Sequence, residues 1–209
     1  MTGEFQLGSS GWFPVLGFTY EYLRYLDQRI VNLDGTLSGR NRIDRSAVIE
    51  LDFPYYATKV SGVDLGYSLT IRNVSQNYYD TLETTDPADD VYTINFYNNY
   101  ESVFKASFTY ELDNAFINSY KPTLTIGINA DIAAYTDRYA KNRSGSYTAN
   151  KQLDINYTFS AEFRHKLADF WNYYLNASYN RYNSNMKWDA YGTLNYTFFS
   201  LTLGTGLSF

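Results

Sequence analysis

The chain contains no cysteine, only four prolines and a single histidine in 209 residues. Without cysteine there is no disulfide framework and no thiolate chemistry for metals or redox work. No run of about 18 apolar residues occurs, which excludes a transmembrane helix. A net charge of -5 argues against nucleic acid, whose binding needs a basic footprint. No glycine-rich phosphate loop is present. The opening "MTGEFQLGSS" lacks the basic start and apolar core of an export signal. If the protein is exported, the sequence is therefore expected to be the mature form, with Met1 an added start residue. The length suits one domain spanning residues 1–209.

What the chain has in excess is aromatic residues: 23 Tyr, 14 Phe and 3 Trp. They explain how 44% hydrophobic residues coexist with a mean hydropathy of -0.41, since tyrosine joins an apolar ring to a polar tip. These residues recur with period two. Leu153, Ile155, Tyr157, Phe159, Ala161 and Phe163 share one face, while Gln152, Asp154, Asn156, Thr158, Ser160 and Glu162 share the other. Leu124 to Ala134, Ala47 to Tyr55 and Val63 to Ile71 repeat the pattern. Such alternation means strands with one apolar face. No segment shows a comparable helical period, so the expected fold is all-β.

Two stretches require a decision. From Tyr92 through Phe96, Tyr100 and Phe104 to Leu112 the apolar residues stay on even numbers. A two-residue turn at Asn98-Asn99 would flip that parity, so one long strand is expected. Near the C-terminus the parity does flip: Leu194, Tyr196 and Phe198 are even, Leu201, Leu203, Leu207 and Phe209 odd. Phe199-Ser200 lacks the Gly, Asn or Asp of a tight hairpin, and a β-bulge would flip parity without reversing the chain. The pattern then predicts eight strands at about 12–26, 43–56, 62–76, 91–112, 121–135, 150–165, 170–182 and 187–209. Turns at both stretches would give ten. Short connections alternate with mostly long polar ones, among them 27–42, 77–90 and 136–149.

This arrangement, with its terminal "GLSF", resembles small bacterial outer-membrane β-barrel proteins of the OmpA/OmpX kind. The resemblance is architectural and spans the whole chain; no residue pattern picks out one family. It implies a closed antiparallel transmembrane β-barrel of eight strands, with short periplasmic turns and long extracellular loops, in a Gram-negative outer membrane. Phe209, with Leu207, Leu203 and Leu201, resembles the C-terminal signal read by the outer-membrane insertion machinery. The surroundings implied are outer-membrane lipid and lipopolysaccharide. Trp12, Tyr22, Tyr55, Tyr92, Phe163, Tyr173, Tyr179 and Trp188 would form the interfacial girdles. The strands exceed the roughly 9–11 residues a bilayer needs, so their upper ends are expected to project beyond it.

On that reading the polar face lines the interior with Glu21, Glu50, Asp52, Asp64, Glu101, Glu111, Asp131, Asp154, Glu162 and Asp189, against Arg72, Lys105, Arg164 and Lys187. An acidic excess favours cations, although an eight-stranded barrel is just wide enough for its own side chains. His165, in "FRHKLADF", is expected in a surface turn on the short-connection side. Glu50 and Asp52 have dyad spacing, but in a polar-lined barrel such pairs arise by chance. "ETTDPADD" (83–90) lacks the spaced ligands and glycine of a calcium loop. Arg138, Lys141 and Arg143 could meet lipopolysaccharide phosphates.

No catalytic residues, metal or cofactor are expected. The first functional reading is a small pore for ions or small solutes with a polar, net-acidic lumen. The alternatives are a plugged structural or adhesion barrel displaying its loops, and the barrel part of a secretion or assembly complex.

Overall fold

A computed structural model describes residues 2–4, 14–56, 61–80, 90–112, 120–188 and 195–207. The alternating segments form strands: β1 (Thr2–Glu4), β2 (Val15–Val31), β3 (Leu37–Tyr56), β4 (Ser61–Val74), β5 (Tyr78–Asp80), β6 (Val91–Thr93), β7 (Asn99–Glu111), β8 (Thr123–Lys141), β9 (Tyr147–Ala168), β10 (Trp171–Ser184) and β11 (Tyr196–Leu207). There is no helix among the described residues. β1-β2-β3-β4-β7-β8-β9-β10-β11 make one antiparallel sheet in chain order, and β5-β6 a second, two-stranded one.

Register is what makes the two faces continuous. Phe18 lies opposite Ile49 and Ile49 opposite Leu69. Farther along, Phe104 lies opposite Ala130, Ala130 opposite Tyr157, and Phe159 opposite Tyr179. The other face carries Glu50 opposite Ser68, Gly66 opposite Lys105, Lys105 opposite Asn129 and Asn129 opposite Thr158. A slip of one residue anywhere would exchange the faces, and none occurs across the middle of the sheet.

The expected closure is not formed. Among the described residues β11 pairs only with β10, and β2 only with β3 and with β1, which covers Val15–Gly17. The apolar face is bare, as at Leu203 (75% exposed) and Leu201 (64%). The accessible surface is 13793 Å², against roughly 10,000 Å² for a compact monomer of this mass. Among the described residues only Val74, Phe96, Ala140 and Met186 are buried hydrophobics.

Four expectations about connections are corrected. Residues 91–112 are not one strand: β6 ends at Thr93, Ile94–Tyr97 turn, and β7 begins at Asn99. Asn95 adopts φ 54°, its N–H donates to Asn77 Oδ1 (3.1 Å), and Asn98 Oδ1 takes the Val74 N–H (2.6 Å). β6 pairs with β5 in the second sheet and not with β7, so no hairpin register ties the parity of the two segments, and the apolar pattern could not reveal the turn. Tyr92 accordingly leaves the girdle and reaches the Val31 carbonyl (3.3 Å). Second, β11 pairs with β10 without a shift from Tyr196 to Leu207, so there is neither bulge nor turn at Phe199-Ser200. Tyr196 and Phe198 simply lie on the polar face, where Tyr196 stacks on Tyr182 (5.3 Å between ring centroids).

Third, 27–42 and 136–149 are mostly strand, closed by short tips at 32–36 and 142–146. In each tip a glycine takes positive φ (Gly35 77°, Gly145 86°) and donates to the carbonyl of Asn32 (3.0 Å) or Asn142 (3.1 Å). This is a type I turn followed by a left-handed residue, a common three-residue hairpin loop. Asp34 accepts from the Thr36 hydroxyl (2.6 Å) and N–H (3.0 Å), which holds its carboxyl below the usual range.

Fourth, His165 is not a surface-turn residue. It belongs to β9 on the apolar face and is 1% exposed. Nε2 lies 2.8 Å from the Tyr120 carbonyl and Nδ1 3.2 Å from the Tyr173 hydroxyl. A carbonyl only accepts, so in the neutral ring Nε2 carries the proton and Nδ1 accepts from Tyr173. The chain at 120–122 covers it, with Pro122 fully buried and the Tyr120 hydroxyl donating to Asp169 (2.7 Å).

Candidate functional site

The polar face collects the expected charged residues on one surface, because each occupies the non-apolar parity of its strand. Near the end of the sheet where β9 turns into β10, the charges are paired. Glu162 meets Arg164 at 3.0 Å, and Glu111 meets Lys121 at 3.5 Å. Higher up, Glu101 and Arg72 stand 4.0 Å apart. Glu21 receives a long bond from the Ser46 hydroxyl (3.4 Å).

The middle of this face is different. Glu50, Asp52, Asp64 and Asp131 form no ion pair with any described residue, and neither does Lys105. A cavity of about 240 Å³ lies among Asp52, Asp64, Lys105, Asn129, Thr158 and Ser160. Four carboxylates against one ammonium make a local acidic excess. The buried Asn129 Oδ1, Asn99 Oδ1 and Gln152 Oε1 accept no hydrogen bond from any described residue. Buried polar atoms are almost always satisfied, so these call for donors from water or solute.

Toward the hairpin tips a second cavity of about 330 Å³ is lined by Glu21, Tyr25, Arg42, Asp44, Arg72 and Asn99. Arg42 grips Asp44 with two bonds (Nε 2.7 Å, Nη2 2.5 Å) and lies over the Tyr25 ring (4.7 Å). Tyr25 donates to the same carboxylate (3.4 Å). On β9, buried Asp154 accepts from Gln152 Nε2 (3.0 and 2.9 Å) and from Ser184 Oγ (2.5 Å). Asp154 was expected on this face; Asp44 and Arg42 were missed. Arg42 fell just outside the strand expected to begin at residue 43, while Asp44 lay inside it and shares the parity of Ser46, Glu50 and Asp52 but was passed over.

Above these residues, β5 and β6 sit between the two hairpin tips. Asn77 Nδ2 donates to the Val31 carbonyl (3.0 Å). Asp80 is held by Lys141 Nζ and the Tyr147 hydroxyl (2.6 Å). Burial, and then the bond to Asp80, pushes the Tyr147 phenol well above its ordinary range. Tyr79 is pushed up by its bond to Asp90 (2.6 Å). Phe96 stacks on Tyr78 (4.5 Å) beneath the Arg138 guanidinium (4.5 Å). Of the three cations expected to meet lipopolysaccharide, Arg138 and Lys141 are therefore engaged inside the protein, and Arg143 is exposed at the tip.

Asp189, Phe209 and Trp12 lie outside the described residues, as does "ETTDPADD" apart from Asp90. Lys187 donates to the Ser184 carbonyl (2.7 Å). Leu201, Leu203 and Leu207 share the apolar face of β11, all exposed. No grouping of three or more possible metal ligands occurs among the described residues. No protein-family model, curated protein or solved structure matches the chain.

Proposed function

We propose that the sheet closes into an eight-stranded outer-membrane barrel whose polar face lines a narrow, cation-favouring passage for ions or small solutes. The observation that carries this is the continuity of two opposed faces through every central register. One is apolar and bare; the other is polar, cavity-bearing and acidic at its middle. In water the apolar face leaves Phe199, Leu201 and Leu203 exposed, whereas in hydrocarbon such a face needs no cover provided every backbone group is paired within the sheet. Carboxylates without counter-ions, in a lumen of low dielectric, attract cations. The test is planar-bilayer recording of the purified protein. Discrete cation-selective steps are expected, and silence at all voltages removes the pore.

A second reading is favoured by one specific feature, the β5–β6 pair held at the tip end by Tyr78 on Phe96 and by Asp80 on Lys141 and Tyr147. A barrel capped in this way is a closed structural or adhesion barrel that presents its hairpin tips. It predicts no conductance, and loss of surface binding when the tips are removed.

A further inference from the structure

The sheet is built twice. The pairing registers of β2-β3-β4 recur in β8-β9-β10 at an offset of 110 residues, from Gly35 to Gly145. Arg24 opposite Ile43 becomes Ala134 opposite Leu153. The interruption that follows, resuming at Arg29–Asn41, recurs at Tyr139–Lys151. The tips match, Asn32 and Gly35 with Asn142 and Gly145, and an aromatic ring covers each glycine, Tyr79 in one and Trp188 in the other. Gly17 and Gly127 each sit against the side chain of the paired residue, Glu50 and Ser160. Tyr25, Arg42 and Asp44 correspond to Tyr135, Gln152 and Asp154, and each aspartate is held by the residue two before it. Coincidence does not reproduce a ladder, its interruption, a tip and a carboxylate clamp at one offset. The fourth strands correspond too: Arg72 opposite Asn99 matches Tyr182 opposite Tyr196, so β7 corresponds to β11.

From this we infer that the chain is a tandem duplication of a four-stranded unit, and that the duplication sets how its two open edges pair. In the middle of the sheet the last strand of the first unit, β7, pairs with the first strand of the second, β8. The equivalent junction joins β11 to β2. Ala106 opposite Ile128 maps onto Leu203 opposite Phe18. Phe104 opposite Ala130 maps onto Leu201 opposite Tyr20, and Val103 opposite Asp131 maps onto Ser200 opposite Glu21. Phe18, Tyr20, Leu201 and Leu203 are each at least half exposed in the open sheet, and the mapping puts them on one face. Gly204 falls opposite Gly17, where β1 now places Thr2, so β1 holds the lower edge of β2 and gives way to β11 on closure. Around the closed ring β3 and β9 stand four strands apart, so Asp44 and Asp154 face each other across the lumen.

The inference rests on the closed-barrel reading, and cysteine pairing separates the two, since the native chain has no cysteine. Directly opposed antiparallel residues have Cα atoms about 4.5–5.5 Å apart, within disulfide reach. Phe18→Cys is combined in turn with Leu201→Cys, Leu203→Cys and Thr205→Cys, then oxidised in phosphatidylcholine vesicles. Ala106→Cys with Ile128→Cys calibrates the yield at the parent junction. Glu21→Cys with Ser200→Cys repeats the test on the polar face. The expected result is an intramolecular bridge through Leu203→Cys at least ten times more abundant than through either neighbour. A bridge dominated by Leu201→Cys or Thr205→Cys overturns the register and keeps the barrel. Bridges only between molecules assign the edge to a second copy and overturn both. No bridge beside an efficient calibration pair overturns the barrel itself.

Discussion

Replacing Phe96 by alanine tests what fastens the β5–β6 hairpin to the sheet. The ring is 8% exposed. It stacks on Tyr78 at 4.5 Å, meets Tyr97 edge-on at 5.0 Å and lies under Arg138 at 4.5 Å. Truncating a buried phenylalanine costs about 3–5 kcal/mol. The lower bound applies because the site is at the end of the sheet and can partly collapse. A loss of about 3 kcal/mol corresponds to roughly a hundredfold change in an opening equilibrium. In native-state hydrogen exchange, amides of Tyr78–Asp80 and Val91–Thr93 should therefore lose about two orders of magnitude of protection. Those in the centre of β8 and β9 should not change, since the hairpin opens as its own unit. A change under threefold at the hairpin, or an equal loss throughout β8 and β9, would refute the packing argument.

Gly35→Ala forces a left-handed alanine, costing about 1–2 kcal/mol, and its Cβ meets the Tyr79 ring at 2.9 Å; exchange at the 32–36 tip should rise while Gly39→Ala, which meets nothing within 4 Å, leaves it unchanged. The raised Tyr147 pKa means that the folded state keeps a proton the unfolded chain releases near pH 10. The stability it contributes is complete below that pH and falls as pH rises above it, so hairpin protection should drop in alkali, and Tyr147→Phe should flatten that drop. Lys105→Glu removes the one cation among the mid-face carboxylates and should raise the cation-to-anion permeability ratio by roughly twofold or more. An unchanged ratio would separate this cavity from conduction. His165→Phe puts a somewhat larger apolar ring in the same place and removes the imidazole partner of the Tyr120 carbonyl and Tyr173 hydroxyl, at about 1–3 kcal/mol each, measured as a lowered urea midpoint.

The strand content was legible because period-two alternation over Leu124–Ala134 or Leu153–Phe163 admits one backbone geometry. The turns were less so. Ile94–Tyr97 escaped because the strands on either side belong to different sheets, so no pairing forces their apolar parities to differ. The apparent flip at Phe198–Leu201 came from two rings stacked on the polar face, which residue counting cannot distinguish from a bulge. The tips at Asn32–Thr36 and Asn142–Ser146 carried readable turn chemistry, Asn-x-x-Gly, but their polarity made the flanking strand ends look like loop. Ending β3 at residue 43 in turn hid Arg42, whereas Asp44, inside that strand, was passed over although it shares the parity of Glu50 and Asp52. The duplication went unseen because the two halves share geometry more than identity. Arg42 and Gln152 do the same work with different atoms.

What touches the apolar face is read directly by collision of single nitroxide labels. Labels are placed one at a time from Leu124 to Ile132 on β8, in vesicles. Even-numbered positions should collide with oxygen dissolved in the hydrocarbon, and odd-numbered ones with a water-soluble paramagnetic complex, in strict alternation. Uniform access to the aqueous reagent, or a chain that stays monomeric in buffer and ignores the vesicles, would contradict it.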